Sequence, residues 1–366
     1  MSREAFRIGG VDVPAGTRRA LELPIARLPH GAMAALPCVV VHGARPGPAV
    51  FITGAVHGDE LTGVEVARRV LAQVRARDLH GTLVAVPMVN VFGVTEGSRF
   101  LPDRRDLNRS FPGSERGSLA GRLAHMVMTE IVAPCQVGID VHSGSDHRHN
   151  LPQVRGDLDD PRTRELADIF GAPISIHARE RSGSLRGEAA ARGKKVLLYE
   201  AGGPHLFDPH AVDVGVAGVL RVLGALDMIN ASPIDHRTHP RISRRTLWTR
   251  ALRGGLFRVE TRLGARVRKG QALGTISDVM GHRLARVKAR EGGVVVGLRM
   301  NPVVFQGDAL VHVAVLEEPA SSAGKRGAKV GGAVSTPAAP APFRPQASDP
   351  EEARPPRDDG SHEGDA

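Results

Sequence analysis

Three short segments carry residue types that can do chemistry together. GAVHGDELTG holds His57 and Glu60 three positions apart, GIDVHSG holds His142, and LLYEAGG holds Glu200. Two histidines and one carboxylate form the ligand set of a catalytic zinc site with an open fourth position. A His and a Glu three apart at a strand-to-helix turn can both point at one ion, with the third ligand coming from a neighbouring strand. Zinc accepts mixed nitrogen and oxygen ligands at tetrahedral geometry. It acidifies a bound water to a pKa of ~7, which makes a nucleophile at neutral pH. The H-x-x-E spacing alone also fits a histidine capping a helix beside a solvated first-turn acid. Placement separates the two readings. His57, His142 and Glu200 each close a buried apolar run and each sit beside glycines (Gly58, Gly144, Gly202). Polar groups at three strand ends need a shared reason, and a metal cleft supplies one.

Asp140 precedes His142 by two, so strand alternation puts both on one face. Its carboxylate can accept the second ring N–H of a ligating histidine and fix the tautomer. The segment SRFLPDRRDLNRSFPG adds Arg99, Asn108 and Arg109, which can bind a carboxylate or a developing oxyanion. Asp106 is placed to hold one of these arginines.

The elements that must position these groups follow from the apolar pattern. Residues 1–44 show short apolar runs separated by Gly and Pro and read as β-strands. Residues 45–240 alternate buried strands (PAVFITG, GTLVAVPMVNV, VGIDV, KVLLYE) with helical patterns such as Leu61–Arg77, Leu119–Val132, Thr163–Ile169 and Val214–Leu226. Strands interleaved with helices imply an α/β layered sheet, whose active residues sit at strand C-termini. Residues 241–316 change to short strand patterns with Gly turns and predict a small all-β barrel or sandwich. Residues 317–366 carry eight prolines and few large apolar side chains, which predicts a disordered Pro/Ala-rich tail.

Composition bounds the rest. Two cysteines, Cys38 and Cys135, exclude a disulfide framework and a Cys-rich zinc module. No apolar run approaches the ~18 residues of a membrane span, and the N-terminus has no secretory apolar region. These features place the chain in the cytoplasm, with no membrane partner. The net charge is +10 with 49 Lys+Arg, only six of them Lys. The arginines are scattered and aromatics are 3%, so stacking platforms for nucleic acid are not expected. The sequence is compatible with a homo-oligomer.

Taken jointly, GAVHGDELTG, DLNRSFPG, DVHSG and YEAGG resemble the succinylglutamate desuccinylase/aspartoacylase family, over about residues 45–316. The resemblance implies a zinc carboxypeptidase-like layered α/β catalytic domain with a mixed sheet, followed by a β-module. It implies one zinc per chain on His57, Glu60 and His142, with Glu200 as general base and acid. Arg99 then polarises the scissile carbonyl, and Asn108 and Arg109 grip a substrate carboxylate. An arginine before the catalytic Glu strand serves a second carboxylate in such proteins, and Arg186 in SGSLRGEAA takes that place ahead of Arg181. The implied activity is hydrolysis of a small N-acyl amino acid to a carboxylate and a free amino acid. A zinc carboxypeptidase-like peptidase is the alternative enzyme. A non-catalytic, metal-stabilised binding protein is the alternative outside catalysis. The segment DHRHN also brings His147 and His149 near the cleft side, where they read as a second metal pair or a solvated loop.

Overall fold

A strand buried at every position, such as Val137–His142, belongs in a sheet covered on both faces. The computed structural model, which describes residues 3–230 and 240–317, has such a sheet. Among the described residues its elements are, in order, β1 (Phe6–Ile8), β2 (Val11–Val13), β3 (Thr17–Arg27), β4 (Met33–His42), β5 (Arg45–Gly54), α1 (Thr62–Gln73), β6 (His80–Val86), α2 (Val91–Glu96), α3 (Leu119–Met126) and β7 (Val137–His142). They continue with β8 (Arg148–Gly156), α4 (Pro161–Phe170), β9 (Ile174–His177), α5 (Leu185–Ala190), β10 (Lys195–Gly202) and α6 (Pro209–Ala225). Strands alone follow: β11 (Arg241–Arg250), β12 (Gly255–Val259), β13 (Arg266–Val267), β14 (Ala272–Ser277), β15 (Arg283–Lys288), β16 (Gly293–Arg299), β17 (Val303–Val304) and β18 (Ala309–Leu316). The tail expected at 317–366 lies, apart from Glu317, outside the described residues.

The main sheet has twelve strands in the order β13-β16-β18-β11-β9-β8-β10-β7-β5-β6-β4-β3. It is mixed: β6, β5, β7 and β10 run parallel, and β10 pairs antiparallel with β8. The period-two alternation of β5 shows why both faces are apolar. Val50 and Ile52 enter a core shared with Val66, Val70 and Leu166, on the side of α1, α4 and α6. Phe51 enters the opposite core with Leu123, Ala124 and Leu185, on the side of α3 and α5. Helix starts are marked locally. Asn90, Ser118, Asp160, Ser184 and Asp208 each accept a first-turn backbone N–H, and Pro161 and Pro209 follow two of them. The strand expected to end near Asn90 stops at Val86, because Pro87 cannot donate to the ladder and Asn90 instead caps α2. No helix among the described residues is long and apolar enough to cross a membrane.

Residues 241–316 are strands throughout, yet they do not stand apart. β11, β13, β16 and β18 continue the main sheet, and β12, β14, β15 and β17 form a separate four-stranded sheet. β11 pairs with β9, and β16 turns back to pair with β8. The pairings β8–β9–β11–β18–β16–β8 therefore close a ring around Ile174, Ile176, Val294, Val296 and Ala314. The described residues belong to one unit.

Parallel β5, β7 and β10 end at the same edge of the sheet, and the ladder sets Thr53 beside Asp140 and His142 beside Glu200. α1 reaches this edge through a glycine contact. A Cβ on Gly54 would lie 2.6 Å from the Gly63 carbonyl carbon and 2.8 Å from the Pro87 oxygen. Both neighbours are backbone, so Gly54→Ala must move α1. It should cost about 1–3 kcal/mol by overpacking, read as a lower urea midpoint at unchanged slope. An unchanged midpoint would show that the α1 approach is not tight.

Candidate active site

The first two site residues come from the turn between β5 and α1. Ala55 there has φ 48°, a left-handed conformation rare for a residue with a side chain. A Cβ on Gly58 would fall 1.9 Å from the Gly93 carbonyl carbon, so only glycine lets this loop lie against α2. The loop thereby turns His57 and Glu60 inward under β7, whose last residue is His142. All three are buried, at 4%, 2% and 3% exposure.

Glu60 joins the histidines. Its Oε1 lies 2.7 Å from His57 Nδ1, and its Oε2 lies 2.8 Å from His142 Nδ1 and accepts the Ser143 amide at 3.0 Å. The far nitrogens are also held. His142 Nε2 is 3.0 Å from Asp140, which Thr53 in turn fixes, and His57 Nε2 is 3.2 Å from Asp106. A carboxylate on the far nitrogen fixes the tautomer of a ligating imidazole. The candidate ligand atoms of His57, Glu60 and His142 all lie within 4.8 Å of one another, so the trio could hold a metal ion.

The electrostatics follow from burial opposed by pairing. Burial alone would disfavour the Glu60 charge, but the two imidazoles hold the carboxyl well below its usual range. Burial likewise opposes the Asp106 charge, and His57 and Arg99 outweigh it. Desolvation pushes His57 and His142 down, yet Glu60 with Asp106, and Asp140 with Glu60, raise both above the usual histidine value. Such a nest of negative oxygens around two ring nitrogens suits a cation at its centre.

A cavity of about 440 Å³ opens from this trio. Arg99 lines it while donating to Asp106 through Nε and Nη2 at 3.2 and 2.9 Å. Asn108 uses its Oδ1 to accept from the Leu185 amide at 2.9 Å, which leaves its NH₂ group for the cavity. Arg109 lies beside it on the same wall. Arg186 also lines the cavity, but its Nη1 and Nη2 donate to the carbonyls of Ala178 and Arg179, so it props its own loop. Glu200 faces the cavity from β10 and accepts from Asn150 Nδ2 at 2.7 Å.

His57, Glu60, Arg99, Asn108, Arg109, His142, Arg186 and Glu200 line one cavity, and Asp106 and Asp140 touch the histidines from behind. Asp106 was expected to hold an arginine and also holds His57. Arg186 has much of its guanidinium engaged by backbone. His149 pairs with Asp208 at 2.8 Å and does not line the cavity. Cys135 is buried, with its thiol pushed up to about 12 by burial, and offers no nucleophile. The sequence reasoning missed Arg148, Asn150, Arg155, Arg179 and Trp248, all of which line the cavity. The signal that could have pointed to Arg148 and Arg155 is the excess of arginine around RHNLPQVRG.

A mixed α/β fold with a buried His/Glu/His trio beside parallel strand ends, opening on an arginine-lined cavity, has the layout of a hydrolase-type site. Residues 46–226 match the succinylglutamate desuccinylase/aspartoacylase catalytic domain. The chain is 28% identical over 311 residues, 81% of its length and 91% of the relative's, to the N-alpha-acetyl-L-2,4-diaminobutyric acid deacetylase of Halomonas elongata. It is similar in structure to a succinylglutamate desuccinylase/aspartoacylase from Rhodobacter sphaeroides (TM-score 0.74, 29% identity, 82% of this chain and 95% of that one). The product-bound ectoine utilization protein EutE (DoeB) from Ruegeria pomeroyi is likewise similar (TM-score 0.75, 25% identity, 83% and 97% covered). The chain belongs to the succinylglutamate desuccinylase/aspartoacylase family.

Behind the cavity wall, His312 is 3% exposed and stacks on Trp248 with ring centroids 4.4 Å apart. Burial pushes its pKa down to about 3, and the charges of Arg155 and Arg148 act in the same direction. The unfolded chain binds this proton near the ordinary value of about 6.5. Stability from a neutral His312 is thus complete above about pH 6.5 and falls as pH drops from there towards 3, by a few kcal/mol. His312→Phe, which keeps the stacking, should flatten urea midpoints between pH 6.5 and 4. An acid dependence equal to that of the parent protein would exclude His312 as its source.

Proposed function

We propose that the protein is a zinc-dependent amidohydrolase that cleaves an N-acyl amino acid to a carboxylate and a free amino acid. The observation that carries this reading is a buried His57–Glu60–His142 trio sharing one cavity with Glu200 and a wall of arginines. A relative named as a deacetylase supports the reaction class. His57, Glu60 and His142 would hold the zinc, and two imidazoles with a carboxylate suit it better than harder or softer ions. Asp140 and Asp106 would keep the two rings oriented. Bound zinc supplies an acidified water and polarises the scissile carbonyl.

The protein's own residues do the rest. Asn108 and Arg109 grip the α-carboxylate and set the amide across the cavity, a directional contact because a guanidinium meets a carboxylate at two points. Arg186 lies on the same wall as the candidate for a second carboxylate. Arg99, fixed by Asp106, faces the carbonyl oxygen as charge develops there. Glu200 takes a proton from the attacking water and delivers it to the nitrogen of the leaving amine. The mixed sheet with ligands at its strand ends fits a zinc carboxypeptidase-like layout. Residues 45–240 supply the chemistry, and strands after 241 wall the cavity with Trp248.

The test is a panel of N-acetyl, N-formyl and N-succinyl amino acids, each compared with its carboxamide analogue, with released amine measured. The acyl amino acids should be hydrolysed and the carboxamides should show a strongly raised KM. Arg109→Ala should erase that discrimination. Glu200→Gln should lower kcat by about 10²–10⁴-fold with metal retained. Equal hydrolysis of acid and carboxamide would remove the amino-acid half of this assignment. Turnover of peptides alone would replace it with a peptidase.

A further inference from the structure

A carboxylate that moves a proton in two directions must keep one oxygen aimed at the reacting atoms, and a glutamate end group rotates broadly unless something holds it. Glu200 has such a holder. Asn150 Nδ2 donates to Glu200 Oε2 at 2.7 Å, while among the described residues Oε1 has only Arg155 Nε at 4.0 Å, beyond hydrogen-bonding distance. Asn150 is itself 6% exposed.

Its place in the sheet is unusual. Asn150 on β8 is laddered to Gly202 of β10 on one side and to Gly297 of β16 on the other. β10 slips in register against β8 between Glu200 and Gly202, and β16 slips against its other neighbour, β18, between Val295 and Gly297. Register slips re-aim side chains beside active sites. Gly297 allows the close approach. A Cβ there would lie 3.1 Å from Asn150 Oδ1 and 3.2 Å from His312 Cβ, with Trp248 Cη2 at 3.5 Å. The strands after 241 thus press on the side of Asn150 away from Glu200.

We propose that Asn150 is a positioning residue for Glu200, and that Gly297 of β16 sets Asn150 in place. Asn150 fixes Oε2 and leaves Oε1 for the proton. Closing the β8–β16 ring then has a consequence for turnover as well as for stability. The proposal rests on Glu200 being the acid–base group.

The experiment measures kcat, KM, metal content and melting temperature on one N-acyl amino acid that the wild type hydrolyses. Asn150→Ala, Asn150→Asp and Gly297→Ala are compared, the first also in a Glu200→Gln background. Asn150→Ala should lower kcat about 10- to 100-fold with KM and metal content nearly unchanged. Asn150→Asp, of the same volume, should lower kcat too, because it sets a second carboxylate against Glu200. It keeps the test alive if the alanine variant does not fold. Gly297→Ala should show a smaller loss of the same kind. In the Glu200→Gln background, Asn150→Ala should cause no further loss, since its effect runs through that carboxylate. A wild-type kcat in both Asn150 variants, or the same fold-loss with and without Glu200, would overturn the proposal. Wild-type turnover in Glu200→Gln alone would instead overturn the acid–base reading on which it rests.

Discussion

The site depends on one arrangement: the Glu60 carboxylate, buried and shared between two imidazoles, one from the turn after β5 and one from the end of β7. Bringing a carboxylate out of water is expensive, and the protein compensates by surrounding it with His57, His142 and the Ser143 amide. Each histidine in turn needs a partner on its far side, which Asp106 and Asp140 provide. The sequence of obligations runs outward from there. Asp140 needs Thr53, which the β5–β7 register supplies, and Asp106 needs Arg99. A cluster this charged and this dry holds its geometry only because parallel β5, β7 and β10 end at one edge and α1 is drawn against them through Gly54 and Gly63.

The far wall of the cavity has a different origin. β8 runs antiparallel to β10 and closes a ring by pairing with β16, more than a hundred residues further along the chain. That ring carries Arg148, Asn150 and Arg155 to the cavity and backs them with Trp248 and His312. The buried Nε atoms of Arg148 and Arg155 have no hydrogen-bond partner among the described residues. With Arg179, Arg181 and Arg186 also on its lining, the cavity carries many guanidinium groups.

The His57–Glu60–His142 trio was legible because its signals are local. Polar residues that end apolar runs beside glycines mark strand ends, and parallel strand ends converge. Asp140 was legible from alternation with His142, and the Arg99–Asp106 pair from proximity in one loop. The contact of Asp106 with His57 was not, because 49 residues separate them and no spacing rule joins them. β8 was invisible as a strand. RHNLPQVRG has neither apolar alternation nor a continuous apolar run, and Pro152 argues against a strand interior. Asn150 was hidden with it. The integration of residues 241–316 into the main sheet was hidden for a related reason: short strands show their pattern in the sequence but not their partners, and β16–β8 pairing is a long-range choice made by packing. Arg186 lines the cavity, and backbone carbonyls, which have no sequence signature, engage its guanidinium.

The most direct measurement is X-ray absorption at the zinc edge on protein carrying one equivalent of zinc, for the wild type and for His142→Ala. Zinc held by His57, Glu60 and His142 should show a nitrogen and oxygen shell containing two imidazoles and no sulfur, from which the variant loses one imidazole. A shell containing sulfur, or an imidazole count unchanged in His142→Ala, would contradict this ligand set.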